Sequence, residues 1–143
     1  MKKKIVTMLS AFLLAGTLTN VGTVYANNYQ NRTFEFQYNA SGSDTMIEKP
    51  RRKEDDTASY IKLSSDSIDL MVYVCGTNTP NNINWGLRDM CSDVVFVPKG
   101  DYRYISNTVN KKYKYAYMCG GSDIKGMHWI KGHWSPDNIS GRY

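Results

Sequence analysis

Alternation with a period of two runs through most of this chain, and it restricts what the chain can fold into. In the segment 33–38, Phe34, Phe36 and Tyr38 fall on one face while Thr33, Glu35 and Gln37 fall on the other. Ile68, Leu70, Val72 and Val74 alternate with Asp69, Met71, Tyr73 and Cys75, and this segment reads as the best central strand. Tyr113, Tyr115, Tyr117 and Cys119 alternate with Lys112, Lys114, Ala116 and Met118. Successive side chains of a strand point to opposite sides of the sheet, so each pattern predicts a half-buried strand. Segment 93–97 is a short apolar run stopped by Pro98-Lys99-Gly100. Weaker strand patterns occupy 59–63, 102–105 and 127–134. The intervening pieces are rich in Gly, Pro and Asn (39–43, 76–85 and 120–123), and only 84–93 and 106–111 leave room for a short helical turn. Many short strands with such punctuation predict an all-β fold, a small antiparallel β-sandwich or open barrel.

The N-terminus adds a second constraint. Lys2, Lys3 and Lys4 precede an apolar run over 5–18, and a more polar stretch then ends in Val24-Tyr25-Ala26. A cationic start, a short apolar stretch and small residues before a cut are the order of a secretory signal peptide, with cleavage expected between Ala26 and Asn27. The apolar run is shorter than the ~20 residues a membrane-spanning helix needs. No Cys follows the cut to carry a lipid, so the product is expected to be secreted into the extracellular space. Three segments result: the signal peptide 1–26, an N-terminal strand with a charged linker over 27–56, and a β domain over 57–143.

Export changes the charge balance. The full chain has 18 Lys+Arg against 13 Asp+Glu; without the three N-terminal lysines the count is 15 against 13, a net of +2. A nucleic-acid binder needs a strong, clustered positive excess, and nucleic acid is therefore excluded as the expected partner. The run Lys49-Pro50-Arg51-Arg52-Lys53-Glu54-Asp55-Asp56 reads as a solvated hinge open to trypsin-like proteases. Three cysteines, Cys75, Cys91 and Cys119, predict one intrachain bridge and one remaining thiol in an oxidising compartment. Cys75–Cys91 is the first choice, because 76–90 resembles a single excursion from the sheet.

The residues that carry chemistry are few. His128-Trp129 and His133-Trp134 form a near-duplicate pair, and a metal site would need Cys119, Asp123 or Asp137 beside the imidazoles. Positions five apart on a strand face opposite sides, so the two rings meet only if Gly132 bends the chain. A hydrolase reading would use Cys119 with His128 or His133. No nucleophile elbow, phosphate-binding loop or EF-hand loop is present. No cofactor and no catalytic residue is assigned, and an enzyme is the less favoured class. Aromatic residues offer the alternative: Tyr102, Tyr104, Tyr113, Tyr115 and Tyr117 cluster with Arg103, Lys111, Lys112 and Lys114, and Trp129 and Trp134 follow. Such a face suits an envelope glycan, a membrane surface or a protein partner.

The segments 53–62, 102–109 and 113–117, closed by Gly132-His133-Trp134-Ser135-Pro136-Asp137, carry a resemblance. Over about residues 53–140 the chain resembles an uncharacterised family of small secreted proteins from Gram-positive bacteria that end in Trp-Ser-Pro-Asp. More remotely it resembles the lactococcin-type β-sandwich bacteriocins, from which it departs in its three cysteines and longer N-terminal extension. The first resemblance implies no known activity; the second implies an antibacterial protein acting on the envelope of a related cell. The expected function is thus a secreted, non-enzymatic binding protein, with a bacteriocin-like protein as the close alternative. Trp134 is expected to pack into the core while Pro136 fixes the turn that follows.

Overall fold

The computed structural model describes residues 30–40 and 43–138. The expected signal peptide and its cleavage point at Ala26 and Asn27 lie outside the described residues. Among the described residues, nine strands, β1 (Arg32–Ala40), β2 (Thr45–Arg52), β3 (Ser59–Leu63), β4 (Leu70–Thr77), β5 (Asp89–Met90), β6 (Val95–Val97), β7 (Tyr102–Ile105), β8 (Tyr115–Gly121) and β9 (Gly126–Ser135), build two antiparallel sheets. A 3-10 turn at Trp85–Leu87 falls inside the expected stretch 84–93, and one helical turn, α1 (Val109–Lys112), overlaps the expected stretch 106–111 and runs one residue beyond it.

The first sheet has the order β1-β9-β3-β7. β1 pairs β9 along its whole length, from Arg32 opposite Trp134 to Ala40 opposite Gly126. The second sheet has the order β2-β8-β4, with β5 and β6 sharing the far edge of β4. Neither sheet closes on itself, so the architecture is a β-sandwich. The apolar faces set by alternation meet between the sheets: Phe34, Tyr38, Ile61, Leu63, Ile130 and Trp134 from the first, and Leu70, Val72, Val74, Ala116 and Met118 from the second.

The charged run is not a solvated hinge. Thr45–Arg52 is an edge strand paired with β8, with register shifts between Met46 and Glu48 and between Glu48 and Arg51. Edge strands and bulges are where a Pro within a strand is tolerated, which accommodates Pro50. Immediately after it Lys53 is buried, and its Nζ lies 2.6 Å from Asp137 Oδ1. β1 and β2 therefore belong to the two sheets, one to each.

The Trp-Ser-Pro-Asp segment is anchored as its composition suggests. Trp134 is fully buried, Ser135 Oγ donates to Asp137 O at 2.8 Å, and Ser59 Oγ donates to Pro136 O at 2.8 Å.

Candidate functional site: an exposed aromatic face and a second core

The sandwich divides the expected aromatic cluster between two sheets. Tyr102 and Tyr104 lie on β7, with Tyr60 of β3 opposite Tyr104 and Lys62 opposite Tyr102. Period two puts all four side chains on the outer face of the first sheet. The three rings touch one another: Tyr60 and Tyr104 are 5.3 Å apart between centroids, Tyr102 and Tyr104 5.8 Å, and Tyr60 and Tyr102 6.1 Å. Tyr102 and Tyr104 keep 50% and 42% of their surface open to solvent. Burial and the neighbouring phenols raise the pKa of Tyr60 above its usual value.

The same face continues along β9. Lys62 is opposite His133, and His133 is opposite Thr33, whose Oγ1 lies 3.2 Å from His133 Nδ1. Lys131 Nζ lies 2.9 Å from Asp66 Oδ2 and 3.3 Å from Glu35 Oε1, and it sits 5.7 Å from the centre of the Trp129 ring. Those carboxylates, Asp66 before Glu35, hold the Lys131 pKa above its ordinary value. Trp129 is 47% exposed. An aromatic, cationic strip thus runs from the tyrosine trio to Trp129, with polar side chains between.

The remaining members of the expected cluster lie elsewhere. Tyr117 is buried on the outer face of the second sheet, and Tyr115 is half-buried on the same strand. Tyr113 donates to Asp89 Oδ2 at 2.6 Å and packs against the inter-sheet core, where Trp134 is fully enclosed. Tyr60 was not among the residues expected at a binding face. Its signal was the alternation of Tyr60 and Lys62 with Ile61 and Leu63, which places both outward beside β7.

The histidines do not converge. β9 is unbroken through Gly132, with His128 opposite Tyr38 and His133 opposite Thr33, so the rings face opposite sides. His128 Nε2 contacts Lys125 O at 2.9 Å. Cys119 lies on β8 in the other sheet. Among the described residues no group of three or more His, Cys, Asp or Glu is arranged to hold a metal ion.

A second, smaller core lies on the outer face of the second sheet. Tyr73 and Cys75 of β4 and Tyr117 and Cys119 of β8 are buried there, with Met46, Ile83 and Trp85 packed over them. Tyr73 donates to Asp44 Oδ2 at 2.7 Å, and that carboxylate lies 3.6 Å from Arg88, which stacks 4.9 Å from the Trp85 ring centre. All three cysteines are free thiols. The expected Cys75–Cys91 bridge is absent for a geometric reason. Cys91 packs between the sheets with Val74, whereas Cys75 packs on the opposite face of β4.

A family model matches residues 22–138. The chain belongs to the DUF2712 family, proteins of unknown function. No curated protein and no solved structure matches it. The DUF2712 match takes in every described strand, including β1 and β2, as well as the Trp-Ser-Pro-Asp turn.

Proposed function

We propose that this DUF2712 protein works outside the cell as a non-enzymatic binding module that holds an envelope glycan on the outer face of its first sheet. One observation carries the reading: Tyr60, Tyr102 and Tyr104 form a contiguous ring cluster whose outer members stay half-exposed. Burial of Ile61 and Ile105 on the other face already supplies the hydrophobic stabilisation of these strands. Flat, exposed aromatic rings offer apolar faces for sugar rings, while the phenol oxygens, Lys62 and His133 supply hydrogen bonds to hydroxyls. A charged glycan would also meet the cations of this face. The bacteriocin-like alternative uses the same surface on the envelope of a related cell and differs in its consequence.

Co-sedimentation of the purified chain with isolated Gram-positive cell walls tests the reading. Binding is expected, and Tyr102→Ala with Tyr104→Ala should weaken it by at least tenfold while the thermal midpoint changes little. No sedimentation with walls, or unchanged binding by the double variant, would remove the reading. Growth inhibition of related strains by the same preparation would favour the antibacterial form.

A further inference from the structure

We infer that Cys75 and Cys119 form a reversible disulfide pair on the outer face of the second sheet, enclosed by the Trp85 loop, and that Cys91 remains a thiol. This inference is independent of the glycan reading.

The pairing follows from the β4–β8 register. Cys75 is opposite Tyr117 and Cys119 is opposite Tyr73, so the cysteines are diagonal neighbours on adjacent antiparallel strands and on one face. Both are fully buried in the same four-residue cluster. The neighbouring Cys119 thiol holds the Cys75 pKa below its usual value, while Cys75 and burial push that of Cys119 upward. Cys75 is therefore the sulfur that ionises first, and its resolving partner is buried in the same cluster.

Cys91 lies apart from this pair. It lies on the core side, and burial followed by the nearby Asp89 raises its pKa from 9.0 to about 11. Its position across β4 from Cys75 and Cys119 keeps it out of the pair.

The chemistry is two-step thiol–disulfide exchange with a low-molecular-weight disulfide as oxidant. The Cys75 thiolate attacks one sulfur of the oxidant and expels a thiolate, giving a mixed disulfide. Cys119 loses its proton to solvent and attacks the Cys75 sulfur, expelling the second thiolate. One protein S–S bond replaces two S–H bonds, and the oxidant leaves as two thiols carrying both electrons. Diagonal neighbours on an antiparallel pair have Cα atoms about 7–8 Å apart, above the usual disulfide limit of about 6.8 Å. Closing the bond must draw the strands together, and a bond closed under such strain is readily reduced again.

Access is set by the segment between Thr77 and Asp89. Ile83 and Trp85, with Met46 of β2, pack against the cluster that holds both cysteines, and Arg88 stacks on Trp85 while reaching Asp44. Exchange thus requires this segment to lift.

The full reduced chain is titrated with oxidised glutathione under native conditions, quenched in acid, alkylated in denaturant and digested with trypsin. Cleavage after Lys62, Arg88, Lys99, Lys114 and Lys125 places each cysteine in its own peptide. A cross-link between the Cys75 and Cys119 peptides is expected, with Cys91 alkylated and the link reversed by dithiothreitol. Cys91→Ala should form the same link, and Trp85→Ala should form it several-fold faster. Links to Cys91, three alkylated cysteines at saturating oxidant, or a persistent glutathione adduct would overturn the pairing. An unchanged rate in Trp85→Ala would overturn the enclosure.

Discussion

Lys53 Nζ and Asp137 Oδ1 lie 2.6 Å apart with both side chains fully shielded from solvent, joining the end of β2 to the turn after β9. The remaining oxygen of Asp137 accepts the Glu54 N–H at 2.9 Å, so one carboxylate fixes both a buried cation and a backbone donor. Lys53 also donates to Thr57 O, which ties the segment between β2 and β3 into the same node. The pair links the second sheet to the closing strand of the first.

Breaking this pair should therefore be costly. Lys53→Met removes the cation 2.6 Å from the buried Asp137 carboxylate and is expected to cost about 3–5 kcal/mol. That is a large part of the ~5–15 kcal/mol that holds a domain together. Lys53→Met combined with Asp137→Asn removes both charges and should recover part of the loss. Urea unfolding of the two single variants and the double variant measures it. Single variants costing under about 1 kcal/mol would show that the pair contributes little.

Gly132 sits in β9 between β1 and β3, where a Cβ would lie 2.2 Å from Lys62 O and 2.7 Å from Phe34 Cζ. The first neighbour is backbone of a paired strand and has nowhere to move. Gly132→Ala should cost at least about 1–3 kcal/mol by overpacking. Gly86→Ala, where the nearest atom is 3.5 Å away, serves as the control and should stay within about 0.5 kcal/mol. Equal thermal midpoints for the two variants would contradict the packing at β9.

Much of the fold was legible because alternation survives wherever one face of a strand is buried. Segments 33–38, 68–75 and 127–134 all lie mainly within strands of the sandwich. β2 was hidden because an edge strand needs partners on one side only, and its bulges disrupt the period on which recognition depends. Lys53 and Asp137 are 84 positions apart, so a local charge pattern could not reveal that the lysine is buried. The aromatic face was legible in part. Tyr102, Tyr104 and Trp129 share a sheet, but proximity in sequence had grouped them with Tyr113, Tyr115 and Tyr117 across the sandwich. The cysteine pair was illegible for the same reason: register, and not loop length, decides which sulfurs meet.

Alkaline pH should expose the state of Cys91. Burial and Asp89 raise its folded pKa from 9.0 to about 11. In that interval the unfolded chain releases the proton while the folded chain keeps it. The contribution to stability is complete below pH 9 and is lost as pH rises through about 11. Cys91→Ala should flatten the decline in this window by up to about 1.4 kcal/mol per pH unit. Urea midpoints of both proteins across the window give the comparison, and parallel curves would mean that Cys91 is not held protonated.

Limited trypsin digestion distinguishes a two-sheet unit from a core with a detachable N-terminal arm. The peptide bond after Lys53 requires a fully buried side chain to enter the protease. Arg51 donates from its guanidinium to Trp134 O at 3.2 Å, so its side chain is also engaged. Arg52 has an exposed side chain, but its residue pairs with Tyr115, and the next N–H, from Lys53, bonds Lys114 O at 2.9 Å. Cleavage at any of the three sites needs β2 to leave the sheet. Lys99, Lys111 and Lys125 are exposed and lie in a turn, in the single turn of α1 and in the loop before β9, respectively, where little structure must open. First cuts are therefore expected at those loop sites, with the bonds after Arg51, Arg52 and Lys53 intact while the chain stays folded. A chain beginning at residue 57 loses β1, the partner of β9 along nine residues, together with β2 and the cation that neutralises Asp137. It should show no cooperative thermal transition. Early cleavage at 51–53 that left a resistant fragment with unchanged β-type circular dichroism would mean that β1 and β2 are dispensable.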